Sequence, residues 1–198
     1  MSELDRSRWN ARYREHRVPG VADGAVNPFL VAAVSDLPTT GRVLDVAGGD
    51  GRTAVWLAGR GWDVTVADIS AEALRRTELR AKSARVPIRT CLVDLEVEPF
   101  PGGPWDLIVC VAYLHRPLFE VFAAELGRDG LLLVVQPTIR NLERFDRPSE
   151  RYLLAEGELV RLLGGWTILR IEEGWRTIAP ERHEARCLAR KPFSSMRI

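Results

Sequence analysis

The stretch Val43-Leu44-Asp45-Val46-Ala47-Gly48-Gly49-Asp50-Gly51-Arg52 constrains the fold more than any other part of the chain. A short apolar run gives way to small residues and glycine, and then to the helix-forming Thr53-Ala54-Val55-Trp56-Leu57-Ala58. That order predicts a buried strand, a tight turn and a helix N-terminus. Gly49 and Gly51 lack a Cβ, so the backbone can turn sharply there and a ligand can approach it closely. The first amides of the following helix would face such a ligand, as they do at nucleotide sites.

The rest of the chain alternates the same two patterns. Leu4, Trp9, Tyr13 and His16 recur at roughly helical spacing among charges, which predicts an amphipathic helix over 4–17. Val18-Pro19-Gly20 stops it, and a Gly- and Ala-rich linker follows to about Val26. Asn27-Pro28 starts a second helix, a capping residue followed by proline in the first turn. Beyond the first strand, Arg42–Val46, a helix over Arg52–Arg60 ends at Gly61, and a strand over Asp63–Ala67 ends at Asp68. A helix from Ser70 to Ala84 then leads to a strand over Ile88–Val93, which ends at Asp94.

Trp105–Val111 and Leu131–Val135 are apolar almost throughout, as strands buried on both faces are. Between them lie a helix over Pro117–Leu126 and a turn at Gly127–Gly130. Pro137–Arg151 reads as irregular and Leu153–Leu163 as one helix. Trp166–Glu173 and Glu184–Ala189 read as an antiparallel pair at the sheet edge. Strand and helix in alternation predict an α/β fold, an open and mostly parallel sheet with helices on both faces and right-handed crossovers.

With 198 residues, 46% of them hydrophobic, the chain reads as one domain. Its parts are an N-terminal helix and linker (1–26), a core (27–192) and a short tail (193–198). A net charge of +1 gives no argument for nucleic acid. Cys91, Cys110 and Cys187 lie far apart in apolar runs and read as reduced, buried thiols, which fits a cytoplasmic protein. No apolar run reaches the roughly 18 residues of a membrane span, and the charged N-terminus is no secretory signal. Three isolated histidines and unpaired cysteines offer no metal-ligand spacing, and His183, set among charges, reads as a surface residue. Monomer and homodimer are both expected.

Ligands of open α/β sheets bind at the carboxyl ends of the strands. Three acids occupy such ends: Asp45, Asp68 and Asp94. Asp68 lies 19 residues after Gly49, close to the offset of about 20 expected of an acid that grips ribose hydroxyls. A nicotinamide dinucleotide and S-adenosylmethionine both fit a ribose acid beside a glycine corner. Gly49-Asp50-Gly51-Arg52-Thr53-Ala54 matches the loose G-x-G-x-x-A pattern of the first. Asp45 and Asp50 oppose a pyrophosphate and suit the ammonium and sulfonium of the second.

Leu44-Asp45-Val46-Ala47-Gly48-Gly49-Asp50-Gly51-Arg52, with Leu57-Ala58-Gly59-Arg60-Gly61 behind it, resembles the first motif of class I S-adenosylmethionine-dependent methyltransferases. Within that class the chain is similar to the small bacterial branch related to the tellurite-resistance methyltransferases. The likeness continues through Val64–Ser70, Tyr113–Phe119, Leu154–Trp166 and Ala185–Pro192. Two positions depart from the pattern. Ala47 replaces the first glycine of the broad class, and Gln136-Pro137-Thr138 stands where relatives carry Glu-Thr-Phe.

The resemblance implies a Rossmann-like, doubly wound, three-layer sheet of seven strands in the order 3-2-1-4-5-7-6, strand seven antiparallel. It implies methyl transfer from S-adenosyl-L-methionine, leaving S-adenosyl-L-homocysteine, to a small-molecule or oxyanion acceptor. The turn, with Asp45, Ala47, Gly48, Gly49, Gly51 and Arg52, would hold the methionine part, and Val111 and Ala112 would lie beneath it. Asp68 would take the ribose hydroxyls, Ile69 would lie against the adenine, and Asp94 and Leu95 would meet its amino edge. His115 follows the fourth strand and is a candidate base; Arg116 beside it is a candidate ligand for an anionic acceptor. Trp9, Tyr13 and His16 share one helical face and could close over the cofactor as a lid. A nicotinamide oxidoreductase and a non-catalytic cofactor-binding subunit are the competing readings.

Overall fold

The computed structural model describes residues 3–15, 25–176 and 181–192. His16, most of the expected linker and the tail lie outside the described residues. Seven strands form one sheet: β1 (Arg42–Val46), β2 (Asp63–Asp68), β3 (Arg89–Leu92), β4 (Trp105–Val111), β5 (Leu126–Pro137), β6 (Thr167–Arg176) and β7 (Arg182–Arg190). Their order is β3-β2-β1-β4-β5-β7-β6. The first five are parallel, and β7 runs antiparallel to both β5 and β6. This is the order that the family resemblance implied.

Among the described residues six α-helices accompany the strands: α1 (Glu3–Arg14), α2 (Pro28–Ala33), α3 (Arg52–Ala58), α4 (Ala71–Ala84), α5 (Leu118–Glu125) and α6 (Glu158–Leu162). Alternate residues of the central strands point to opposite faces, which builds two apolar layers. Leu44, Ile108, Cys110, Leu132 and Val134 meet Phe119, Phe122 and Leu159 on one face. Val43, Val66, Leu107, Val109 and Leu133 meet Phe29, Leu30, Leu57 and Leu74 on the other. Cys110 and Cys187 are buried free thiols, and Cys91 is half-buried.

The helix starts follow local chemistry. Asn27 Oδ1 accepts the Phe29 amide at 2.9 Å and caps α2, while Ser70 Oγ accepts the Ala73 amide at 3.2 Å and caps α4. Three expectations need correction. Gly127–Gly130 falls within the bounds of β5, where the β4 pairing jumps from Leu126 to Leu131. The helix expected over 153–163 shrinks to α6, because Gly157 adopts the left-handed conformation (φ 63°) and the chain before it is an isolated bridge and turn. His183 is buried rather than superficial, at 3% exposure. Among the described residues no helix is long and apolar enough to cross a membrane.

Candidate active site

The strand order reverses between β1 and β4, so the connections leaving their carboxyl ends part and open a crevice. At that edge Ala47 (φ 51°), Gly49 (φ 61°) and Gly51 (φ 75°) all adopt positive φ, and Ala112 at the end of β4 does so too (φ 57°). Glycine does this freely, whereas alanine does it under strain of about 1–3 kcal/mol. Two strained alanines therefore flank the crevice on neighbouring strands. Gly48 is needed for a different reason: a Cβ there would lie 2.7 Å from the Asp45 carboxyl group.

Asp45 points beneath this turn. It is 2% exposed, and its Oδ2 has no hydrogen-bond partner among the described residues. Burial first, then the charges of Asp68 and Asp50, push its pKa up to about 7 against the pull of the Ala54 amide. Asp68 closes β2, and each of its oxygens accepts one amide, Oδ2 from Gly49 at 2.9 Å and Oδ1 from Ser70 at 2.8 Å. Burial still lifts it to about 6. Asp94, also buried, accepts the Glu96 amide through Oδ1 at 3.0 Å. Ile69 and Leu95 are buried beside these acids, while Val111 and Ala112 remain open at the edge.

Asp50 does not behave as its position in the motif suggests. Its Oδ2 accepts from Arg52 Nε at 3.0 Å and from Arg80 Nη2 at 2.9 Å, and its carbonyl accepts from Arg80 Nε at 3.0 Å. Its Oδ2 is therefore shared by two arginines, and Arg52 is turned toward Asp50. Thr77 Oγ1 completes the support by donating to the Gly49 carbonyl at 2.9 Å.

Helix α1 lies over this corner. Tyr13 is 8% exposed, and a Cβ on Gly49 would meet its hydroxyl at 2.4 Å. Asn10 Oδ1 accepts from Ser70 Oγ at 2.8 Å and from the Glu72 amide at 3.3 Å. Trp9 stacks at a tilt on Tyr13, ring centres 6.2 Å apart, under the Arg12 guanidinium. The start of α1 reaches further along the edge, where Arg6 pairs with Glu98 at 3.3 Å.

Beyond β4 the chain lines a cleft of about 280 Å³ with Asp5, Glu96, His115 and Tyr152 among its walls. His115 Nδ1 lies 4.0 Å from Glu96 Oε1. The Tyr113 hydroxyl is buried with no partner among the described residues, and burial with the nearby Glu96 pushes its ionisation upward. Arg116 is paired within the protein. Its Nε and Nη2 grip both carboxyl oxygens of Glu158, the second at 2.9 Å, and Nη2 and Nη1 reach the carbonyls of Leu153 and Arg151 at 3.2 and 3.4 Å. His183 sits at the same sheet edge in a closed network. Its Nδ1 meets Thr138 Oγ1 at 2.7 Å and the edge of its ring meets Trp175.

Residues 43–128 match the family model of the methyltransferase domain. Over that stretch the chain is similar to a methyltransferase domain. An uncharacterized methyltransferase of Mycobacterium tuberculosis is 42% identical over 109 residues, 50% of this chain and 53% of the relative. The chain spans between 38% and 53% of the length of the curated relatives it matches. TehB from Haemophilus influenzae is similar in structure, with a TM-score of 0.73 at 20% identity over 86% of this chain and 63% of that one. The 1,6-didemethyltoxoflavin-N1-methyltransferase of Burkholderia thailandensis, solved with its substrate and S-adenosylhomocysteine, has a TM-score of 0.70 at 20% identity, over 96% and 88%. At such identities the structural likeness is one of fold.

The fold thus brings Asp45, Asp68 and Asp94 to successive strand ends along one edge. Sequence reasoning missed Asn10, Tyr113, Glu96 and Glu158. For Tyr113 a signal existed, an aromatic residue immediately after a buried strand. Glu158 gave none, because its partner is 42 residues away.

Proposed function

We propose that this chain transfers a methyl group from S-adenosyl-L-methionine to a small-molecule acceptor. The observation that carries the reading is the Asp45 carboxylate, buried beneath a glycine turn with one oxygen unpartnered. Such a group wants a donor or a cation, and the methionine ammonium and sulfonium supply both. A pyrophosphate at the same turn would face that carboxylate and be repelled, which counts against a dinucleotide.

In this reading Asp45, Ala47, Gly48, Gly49 and Gly51 cradle the methionine part above Val111 and Ala112. Asp68 takes the ribose hydroxyls. Ile69 packs on the adenine, and Asp94 with the Leu95 amide meets its amino edge. Bound S-adenosylmethionine supplies a methyl group already activated on a positively charged sulfur. The protein's work is to orient the acceptor and exclude water, effects together worth about 7–11 kcal/mol when the geometry is right. His115, at the cleft beside β4, takes a proton where the acceptor must lose one. Trp9 and Tyr13 on α1 form the lid over the cofactor.

Calorimetry with S-adenosylmethionine, S-adenosylhomocysteine and NADH in parallel tests the reading. Binding of the first two and not the third is expected; the reverse would assign the site to a nicotinamide cofactor. Deleting residues 1–17 should weaken cofactor binding, and unchanged affinity would reduce α1 to a structural helix.

A further inference from the structure

We propose that the hollow above Gly174, between the β6–β7 pair and the start of α2, binds a small organic acid, a carboxylate with a hydroxyl or amino donor on the neighbouring carbon. The inference lies beyond the methyl-transfer reading and does not depend on it.

The pleat sets the walls. In the antiparallel pair Arg176 lies across from Arg182, Gly174 from Glu184 and Glu172 from Arg186. Residues directly opposite, and alternate residues along each strand, share one face of a sheet. Arg182, Glu184 and Arg186 therefore stand in a row on β7, beside Arg176 and Glu172 on β6, with a gap where Gly174 has no side chain. A Cβ on Gly174 would meet no atom of the described residues within 4 Å. The hollow measures about 200 Å³, and Pro28 and Phe29 line its far side. Glu184 also lies across from Pro137, the last residue of β5, so the hollow stands at the same sheet edge as the crevice.

The charges around it do not balance. Three guanidiniums, of Arg176, Arg182 and Arg186, share this face with two carboxylates, of Glu172 and Glu184. Thr177-Ile178-Ala179-Pro180 carry no charge, and Glu181 pairs with Arg144 instead. Arg186 is engaged, donating to Glu172 Oε2 at 3.3 Å and to the Gly174 carbonyl at 3.0 Å. Arg176 is engaged too, its Nε 3.8 Å from Glu184 Oε1. Arg182 is the surplus cation. It feels Glu184 and Arg176, yet among the described residues it makes no hydrogen bond and no close ion pair. Burial pulls its pKa down, Glu184 pulls it up and Arg176 lowers it again. A guanidinium so placed is short of an anion, and a planar carboxylate matches its fork.

Glu184 narrows the choice of anion. It is 3% exposed, and its Oε2 has no hydrogen-bond partner among the described residues, with Arg186 Nε 3.9 Å away. That separation is too long for a hydrogen bond, and a buried acceptor left unpaired costs free energy. A hydroxyl or ammonium beside the bound carboxylate supplies the missing donor. One surplus positive charge suits a monoanion, whereas a phosphate dianion would set a second negative charge against Glu184.

The test is a nuclear magnetic resonance titration of the assigned full chain near neutral pH and at constant ionic strength, following the backbone amides of residues 172–176 and 182–186. The probes are sodium glycolate, sodium acetate, inorganic phosphate and ethanolamine. Glycolate should shift these amides at millimolar concentration, with acetate and phosphate weaker and ethanolamine without effect. Silence from glycolate overturns the proposal, as does a response to ethanolamine. Acetate binding as tightly as glycolate removes the donor role of the ligand, and phosphate binding as tightly removes the carboxylate. Arg182→Gln should weaken glycolate by about tenfold or more. Gly174→Val, a strand-forming residue at a position with ordinary strand backbone, should fill the hollow and abolish the shifts. Unchanged glycolate affinity in either folded variant overturns the assignment. The first variant keeps the shape of the hollow and the second keeps its charges, so the two do not fail for the same reason.

Discussion

Asp68 Oδ2 accepts the Gly49 amide at 2.9 Å, so the carboxylate that closes β2 also fixes the turn that leaves β1. The same carboxylate, through Oδ1, holds the Ser70 amide at the start of α4. One side chain thereby sets the spacing of two loops that border the crevice.

Replacing Asp68 with Ala removes both charge-assisted bonds and the proposed ribose contact. Each such bond contributes about 1.5–3 kcal/mol. Affinity for S-adenosylhomocysteine should fall about tenfold to a hundredfold by calorimetry, with a lower melting temperature. Asp68→Asn keeps the shape and one acceptor oxygen and should lose less of both.

Asp45 gives the site a pH signature. Its folded pKa, about 7, lies above the 3.8 of a free carboxyl. Its contribution to stability is therefore complete below about pH 4 and is lost as pH rises through about 7. That shift corresponds to at most about 4 kcal/mol. In the ligand-free protein, Asp45→Asn should melt higher than wild type at about pH 8 and show little difference at about pH 4. Binding should reverse the ranking. Wild-type affinity for S-adenosylmethionine should rise between about pH 6 and 8 as Asp45 and Asp68 ionise, with proton release seen as a dependence of the heat on buffer. The Asn variant should bind more weakly and lose most of that slope.

Gly49 and Tyr13 are coupled by space. A Cβ at Gly49 would press on the Tyr13 hydroxyl and would also sit at a φ of 61°. Gly49→Ala should cost about 1–3 kcal/mol in chemical denaturation. Tyr13→Ala should recover part of that loss in a double-mutant cycle. Strict additivity would mean that backbone strain alone accounts for the cost.

His115 separates binding from chemistry. With an acceptor identified, His115→Ala should lower kcat by about a hundredfold to ten-thousandfold while S-adenosylhomocysteine affinity stays near wild type. Normal turnover would remove the base role and leave His115 as part of the cleft wall.

The strands themselves, the glycine corner and the three acids at strand ends were readable because each follows from local pattern, whereas the strand order came from the family resemblance. Apolar runs give strands, Asn27-Pro28 and Ser70 give helix starts, and an acid closing a buried strand must stand at its carboxyl edge. What escaped depends on pairings that leave no local trace. Asp50 sits in the motif as though facing a ligand, yet Arg80, 30 residues away, reaches back to neutralise it. Arg116 sits next to His115 as a ready anion ligand, yet Glu158 holds it from α6. His183 sits among charged neighbours, and only the approach of Thr138 and Trp175 encloses it. The charge of a residue is legible in sequence, but the partner that spends it is not.

The twelve residues of α1 span the whole opening, with Asp5 in the cleft at one end and Tyr13 above the glycine turn at the other. In the proposed reading the two ligands then share a single roof. Lifting α1 exposes both compartments together, and lowering it commits both. In that reading the two products depart in the same opening event. On the same reading, the rate at which one short helix leaves Ser70 and Gly49 sets an upper limit on turnover.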